Sequence, residues 1–247
     1  MSERTRFNLK IRDHLHTPEA KRTYNEQHFS EAASRYDIAT RAMSLGRDMA
    51  WKRALVAVLP EQPRPVCVDL ASGTGDIAFL LAERYPKGAI VGQDLTGSML
   101  EVARKRNRYA NVSFVQGDML ATGVADASVD IVTGSYAVRN APDLKQVFEE
   151  IYRMLKPGGN LAILDFSKPV SRGMQRLQYG ILKGWCGLWG LLLHGNPEIH
   201  AYIAASLVDY PDRAALHALT DECGFLVKRS RRFYFGTLEL LVLEKPC

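Results

Sequence analysis

The stretch Val66-Cys-Val-Asp-Leu-Ala-Ser-Gly-Thr-Gly-Asp76 constrains the chain more than any other. A short apolar run ends in a turn with two glycines, and the apolar spacing of a helix follows at once. Gly73 and Gly75 carry no Cβ, so the turn can be tight and a ligand can touch the backbone. The same rhythm continues downstream. Residues 66–71, 89–95, 112–118, 129–137 and 160–167 read as strands. Residues 75–86, 97–110 and 144–159 read as helices, the last stopped by Gly158-Gly159. Apolar strands alternating with helices imply an α/β fold with a parallel sheet covered on both faces. Residues 212–225 read as a further helix, and 231–245 as two strands that pair antiparallel at the sheet edge.

Two segments stand outside this rhythm. Residues 1–60 read as polar to amphipathic helix, with Ala32, Tyr36, Ala39, Met43 and Leu45 near one stripe, before Pro60, Pro63 and Pro65 break the pattern. Residues 170–210 are apolar and punctuated by Gly180, Gly184, Gly187 and Gly190, with Trp185 and Trp189 among them. This segment fits either a lid that admits a greasy acceptor from a membrane surface or a packed helix at a subunit interface, as in a homodimer. Lys183 interrupts it, and no apolar run reaches the ~18 residues of a spanning helix. The first 20 residues are charged throughout, unlike a secretory signal. Cys67, Cys186, Cys223 and Cys247 are far apart with no CxxC, so neither a zinc site nor a disulfide framework is expected, and a cytoplasmic location is. A net charge of +5, from 32 basic and 27 acidic residues, suits an anionic ligand or membrane surface and falls short of a nucleic-acid footprint.

Acidic residues mark the strand ends. Asp94 closes the second strand, where a carboxylate can accept ribose hydroxyls, and Asp118 closes the third beside an adenine edge. Two cofactors compete for this crevice. A dinucleotide loop reads GxGxxG, and here Ala78 holds the third position, an allowed variant. Asp69 and Asp76 flank the glycines; two carboxylates repel a pyrophosphate but suit a ligand with an ammonium and a sulfonium. The residues therefore favour S-adenosylmethionine over NAD. A lone GxG is also compatible with a plain tight turn, against which Asp94 and Asp118 argue.

With these motifs in hand, the chain resembles the class I S-adenosylmethionine methyltransferases, and more narrowly the UbiE/Coq5-like C-methyltransferases of ubiquinone and menaquinone biosynthesis. The resemblance covers about residues 27–225. It rests on YD at 36–37, MSLG at 43–46, WKR at 51–53, DLASGTGDIAF at 69–79, GQDLTGSML at 92–100, Arg139-Asn140 within SYAVRNAPDL, LKPGG at 155–159 and LDFSKP at 164–169. The glycine loop and LKPGG are shared widely among methyltransferases, whereas WKR, the Arg-Asn pair and FSKP are more restricted. The chain departs from the family after FSKP and at FYFGTLELL, where the lid and acceptor pocket are expected.

The resemblance implies a Rossmann-like seven-stranded methyltransferase sheet at 61–247, an N-terminal helical cap at 1–60 and a helical lid inserted at about 170–210. It implies S-adenosylmethionine on Asp69, Gly73, Thr74, Gly75, Asp94 and Leu95, with Asp118 and Met119 around the adenine. Ser135 would sit nearby, and Tyr36 and Lys52 on helices that close over the site. The implied acceptor is a small hydrophobic quinol or phenolic ring; no metal is expected.

Methylation of ring carbon needs an electron-rich carbon, which a neighbouring phenolate supplies. A free phenol titrates near ~10, so a base or a cation is needed. Arg139 is the expected cation, unless it merely pairs with Asp143. A water held by Arg139, Asn140 and Tyr36 is the expected proton route, with His194 and His200 as rival bases. Methylation of a soluble secondary metabolite at O or C, a non-catalytic cofactor-binding subunit and an NAD oxidoreductase are the competing functions.

Overall fold

The structure, a computed structural model, describes residues 36–247 together with Thr23, Glu26, Phe29 and Ser30. Ala32 and most of the expected cap before Tyr36 lie outside the described residues. Two helices come first, α1 (Tyr36–Met43) and α2 (Asp48–Ala57). The sequence pattern reads as one run here, but Leu45 and Gly46 take left-handed φ of 53° and 76° and break it. Then follow β1 (Val66–Leu70), α3 (Asp76–Arg84), β2 (Ala89–Asp94), α4 (Gly97–Arg106), β3 (Val112–Gln116) and β4 (Val129–Ser135). The second half holds α5 (Leu144–Met154), β5 (Leu155–Phe166), α6 (Arg172–His194), α7 (Glu198–Ser206), α8 (Arg213–Glu222), β6 (Leu226–Phe233) and β7 (Leu238–Glu244).

The strands form one seven-stranded sheet in the order β3-β2-β1-β4-β5-β7-β6. Pairing is parallel from β3 to β5, and β7 runs antiparallel between β5 and β6. Successive residues of the central strands serve two separate cores. Val132, Leu161 and Leu241 pack with Phe148 and Ile151 of α5, while their neighbours Ile131, Ala162 and Leu240 pack with Leu55 of α2 and Leu81 of α3. That two-sided burial is why these strands read as unbroken apolar runs.

Other elements also differ from the sequence expectation: β6 begins at Leu226, five residues before the segment read as strands. The LKPGG segment opens β5 instead of closing α5. Pro157 supplies the reason: the residue before a proline is pushed to extended backbone, so the helix stops early. Residues 170–210 fold into the 23-residue α6 and the nine-residue α7, which pack on each other. Gly190 lies against the carbonyls of Asn196 and Pro197, where a Cβ would sit 2.7 and 3.0 Å away, while Gly180 and Gly184 face open space.

Candidate active site

Chain order runs outward from β1 to β3 on one side and from β4 to β5 on the other. The crevice at this switch point, beyond the carboxyl ends of β1 and β4, is where open α/β sheets bind ligands. The β1 turn frames it. Ala71 and Gly73 both have left-handed φ, 49° and 55°. The Gly73 amide donates to Asp94 Oδ2 at 2.8 Å and the Thr96 amide to Asp94 Oδ1 at 2.8 Å. Asp94 is thus clamped between two turns. Burial pushes its carboxyl above the usual range, against the pull of the Thr96 and Gly73 amides.

Gly73, Asp94, Leu95, Asp118, Met119 and Ser135 line this crevice, with Tyr36 and Asn140 at its side. Asp118 lies two residues past the end of β3, and its carboxylate accepts from the Leu120 amide at 3.0 Å. Asp69, Thr74, Gly75 and Lys52, which the resemblance implies at the cofactor, are not among the residues that line it. Asp69 points into the sheet, where Thr133 Oγ1 donates to it at 2.8 Å, and burial pushes its carboxyl up to about 7. The Thr74 hydroxyl turns outward to Asp37 at 2.8 Å. Gly75, at φ 93°, starts α3 beneath the rings of Phe79 and Phe114. Lys52 is buried on Asp76 at 2.8 Å, with Asp48 at 3.7 Å, because a buried ammonium needs paired carboxylates.

These ion pairs also change the electrostatics around the crevice. Asp76 does not face the crevice as a bare charge. Burial works against its ionisation, but Lys52 and then Arg106 outweigh burial and hold the carboxyl below the usual range. The acidic groups of the crevice wall are Asp94 and Asp118.

A second, larger cavity of about 730 Å³ adjoins the crevice, and Phe29, Tyr36 and Tyr136 line both. Its wall is mostly apolar, drawn from α1, α6, α7 and the turn between β6 and β7. Arg139 lies in this wall, not in the crevice. Its Nε is 3.2 Å from Asp165 Oδ1, and its Nη1 donates to Asn140 Oδ1 at 3.0 Å and to Ser206 Oγ at 2.8 Å. The guanidinium centre stands 5.1 Å from the Phe166 ring and 5.9 Å from that of Tyr202. Its acidic partner is therefore Asp165; Asp143 instead caps α5, accepting from the Gln146 amide at 3.0 Å. Asn140 Oδ1 also accepts from the Tyr202 hydroxyl at 3.0 Å, and its amide donates to the Tyr136 carbonyl at 3.2 Å.

His200 lines the large cavity, 5.1 Å ring to ring from His194. Burial, and then His194, lowers it to about 4, so it stands neutral near pH 7. Burial raises the Tyr36 phenol above its usual range, so it keeps its proton.

Sequence reasoning passes over Tyr136, which holds a left-handed φ of 56° on the shared wall, and Asp165, Tyr202 and Ser206, which fix the Arg-Asn pair. Asp165 is within its reach, one residue before FSKP. Tyr202 and Ser206 carry no local signal, since α7 comes back to the site from more than 60 residues away.

The sequence profile of the ubiE/COQ5 methyltransferase family matches residues 17–241. The chain belongs to that family. It is 36% identical over 221 residues to a demethylmenaquinone methyltransferase of Thermus thermophilus, covering 88% of this chain and 100% of that one. It is 31% identical to a ubiquinone/menaquinone biosynthesis C-methyltransferase of Desulfotalea psychrophila, covering 86% and 87%. Among solved structures it resembles a methyltransferase of Haloferax volcanii in complex with the Trm112 activator, at TM-score 0.66 and 18% identity over 89% of this chain and 98% of that one, a likeness of fold. The chain is a methyltransferase dependent on S-adenosylmethionine, which sets aside the NAD oxidoreductase and the non-catalytic subunit. The crevice fits that donor: the bare Gly73 backbone, the Asp94 and Asp118 carboxylates and the thioether of Met119 offer polar and apolar partners for a nucleoside.

Proposed function

We propose that this chain methylates ring carbon of a hydroquinone that carries an apolar tail, as the names of its relatives suggest. One observation carries the reading: the crevice that holds Asp94 and Asp118 shares a wall of Phe29, Tyr36 and Tyr136 with the large apolar cavity, so that donor and acceptor sites would abut. Gly73, Asp94, Leu95, Asp118, Met119 and Ser135 would hold S-adenosylmethionine, which supplies an electrophilic methyl group on a sulfonium.

The chain's own groups prepare the acceptor. Arg139 stands in the cavity wall with its fork fixed by Asp165, Asn140 and Ser206. A cation so held favours the phenolate form of a nearby ring hydroxyl. Part of its charge is offset by Asp165, which moderates that pull. The phenolic proton leaves to water beside Arg139, and the ring hydrogen leaves as a second proton once the carbon is methylated. Tyr36, protonated, donates to the acceptor oxygen instead of taking its proton. His200 is neutral, but with its imidazole lowered to about 4 it is poorly matched as a base to a phenol that titrates near ~10. Alignment of two bound reactants in a dry site can supply ~7–11 kcal/mol of the barrier reduction.

We read residues 1–60 as the cap and about 170–210 as the lid of this site, in a cytoplasmic protein that meets its acceptor at a membrane surface. No helix among the described residues is long and apolar enough to cross a membrane. The test is turnover by the purified chain with labelled donor and either a tailed demethylated naphthoquinol or a soluble catechol. Methylated quinol identified by mass spectrometry is expected. Turnover of the catechol with none of the quinol would replace this reading by the soluble-metabolite one.

A further inference from the structure

The mouth of the large cavity is built from side chains that also face outward. Leu45, Met174, Leu177 and Ile181 line the cavity and are each at least half exposed, and Phe235 is fully exposed. They come from three separate parts of the chain: the α1–α2 turn, α6 and the β6–β7 turn. Leu45, Tyr234 and Phe235 hold left-handed φ of 53°, 46° and 53°, half of the non-glycine residues that do so among those described. Left-handed backbone at a non-glycine residue is strained and persists where the surroundings enforce it. Here the Tyr234 ring is held edge-on to Trp51 at 5.0 Å, and its hydroxyl reaches the Ser44 carbonyl at 3.3 Å. Phe235, the next residue, stands fully exposed.

The exposed apolar face continues along α6. Met174, Leu177, Ile181, Leu188 and Leu191 recur at steps of three, four or seven and stay exposed, with Gly184 in register between them. The helix carries no Asp or Glu; its charges are Arg172, Arg176 and Lys183, all exposed. Arg176 and Lys183 are seven residues apart and so share one flank of the stripe. Arg232 lies beside Gly236 at the same rim. An apolar stripe with a cationic flank and no carboxylate is the composition of a helix that lies in a lipid interface. A second copy of the chain would set like charges against each other.

We propose that this rim is a lipid-binding surface: Phe235, Leu45 and the outer stripe of α6 seat in the headgroup layer of a bilayer containing anionic lipid, so that the cavity opens into the membrane. The inference rests on the reading of the cavity as the site of a tailed acceptor. Docking would let the tail pass from lipid to cavity without crossing water.

The test is flotation of the full chain, without donor or acceptor, on phosphatidylcholine vesicles with and without phosphatidylglycerol. Binding is expected only with phosphatidylglycerol and should weaken as salt rises. Leu188→Ser with Leu191→Ser, two stripe positions outside the cavity, should lower partitioning on the order of tenfold, and Arg176→Glu with Lys183→Glu should lower it comparably. Unchanged melting temperatures would show that these variants are folded. Absence of wild-type binding, or equal binding by both double variants, overturns the proposal. So does self-association in solution that the leucine variants abolish while the wild type ignores vesicles, which would assign the face to a second copy. Failure here leaves turnover of a detergent-solubilised quinol intact, whereas failure of the acceptor reading removes that turnover and spares flotation.

Discussion

Asp94 ties two turns together and faces the crevice at once. Its two oxygens accept the Gly73 and Thr96 amides, and the Thr96 side chain also bonds the carboxylate, which leaves limited accepting capacity for a bound nucleoside. Asp94→Ala is expected to weaken donor binding by ~1.5–3 kcal/mol for each charge-assisted hydrogen bond it removes, roughly ten- to hundredfold per bond, measured by calorimetry. At Arg139 the prediction is sharpened by Asp165. Arg139→Ala strands a buried carboxylate and should cost ~3–5 kcal/mol of stability. Removing Asp165 as well should recover much of that loss in denaturant melts. Arg139→Lys keeps the charge but loses the fork; donor binding should persist while turnover falls. Asp69 makes a pH prediction. Burial pushes its carboxyl from 3.8 in the unfolded chain to about 7 in the folded one. Between those values the folded chain binds the extra proton, so Asp69 lowers stability as pH rises from about 4 through 7. Asp69→Asn should remove that part of the slope in denaturation series at pH 5 and pH 8; an unaltered slope would show the carboxyl ionising normally. Asp69, Thr74 and Lys52 hold partners that sequence does not reveal, because spacing fixes where a side chain starts, not where it points. Their partners Thr133, Asp37 and Asp76 lie 64, 37 and 24 residues away.

Elements are more legible than side chains. β1, β2 and β4 can be read because each is apolar on both faces, and β7 for the same reason, while edge strand β3 packs only Val112 and Phe114 against a core. Segment 155–159 cannot, because Pro and Gly there signal both a helix stop and an irregular strand start. Segment 170–210 is ambiguous for a different reason: its glycines do two things. Gly187 and Gly190 face the turn into α7, whereas Gly180 and Gly184 face open space. Gly190→Ala should therefore destabilise by about 1–3 kcal/mol, since the new methyl meets backbone that cannot yield. Gly184→Ala should stabilise by up to ~1 kcal/mol through helix propensity. Urea titrations of the two variants should move in opposite directions.

At the scale of the whole molecule, the fold class and the crevice can be read from sequence, because the glycine turn and the strand-end acids lie close to one another in the chain. The large apolar cavity cannot, since its wall joins α1, α6, α7 and the β6–β7 turn across about 200 residues. Ligand linkage gives a global check. At a hundredfold excess over its dissociation constant, the donor should add about 2.7 kcal/mol of stability. S-adenosylmethionine should raise the melting temperature of the wild type, Asp94→Ala should show a smaller rise, and NADH should have no effect.

The placing of β7 between β5 and β6 bears on how the chain is made. β6 emerges from the ribosome before β7 yet bonds to no other strand, and Leu240, Leu241 and Leu243 fill both cores. Until β7 is synthesised, β5 has an open edge and β6 has nowhere to dock. A nascent chain halted after β6 should thus be a substrate for chaperones and proteases, and release of the last strand should switch it abruptly to a resistant form.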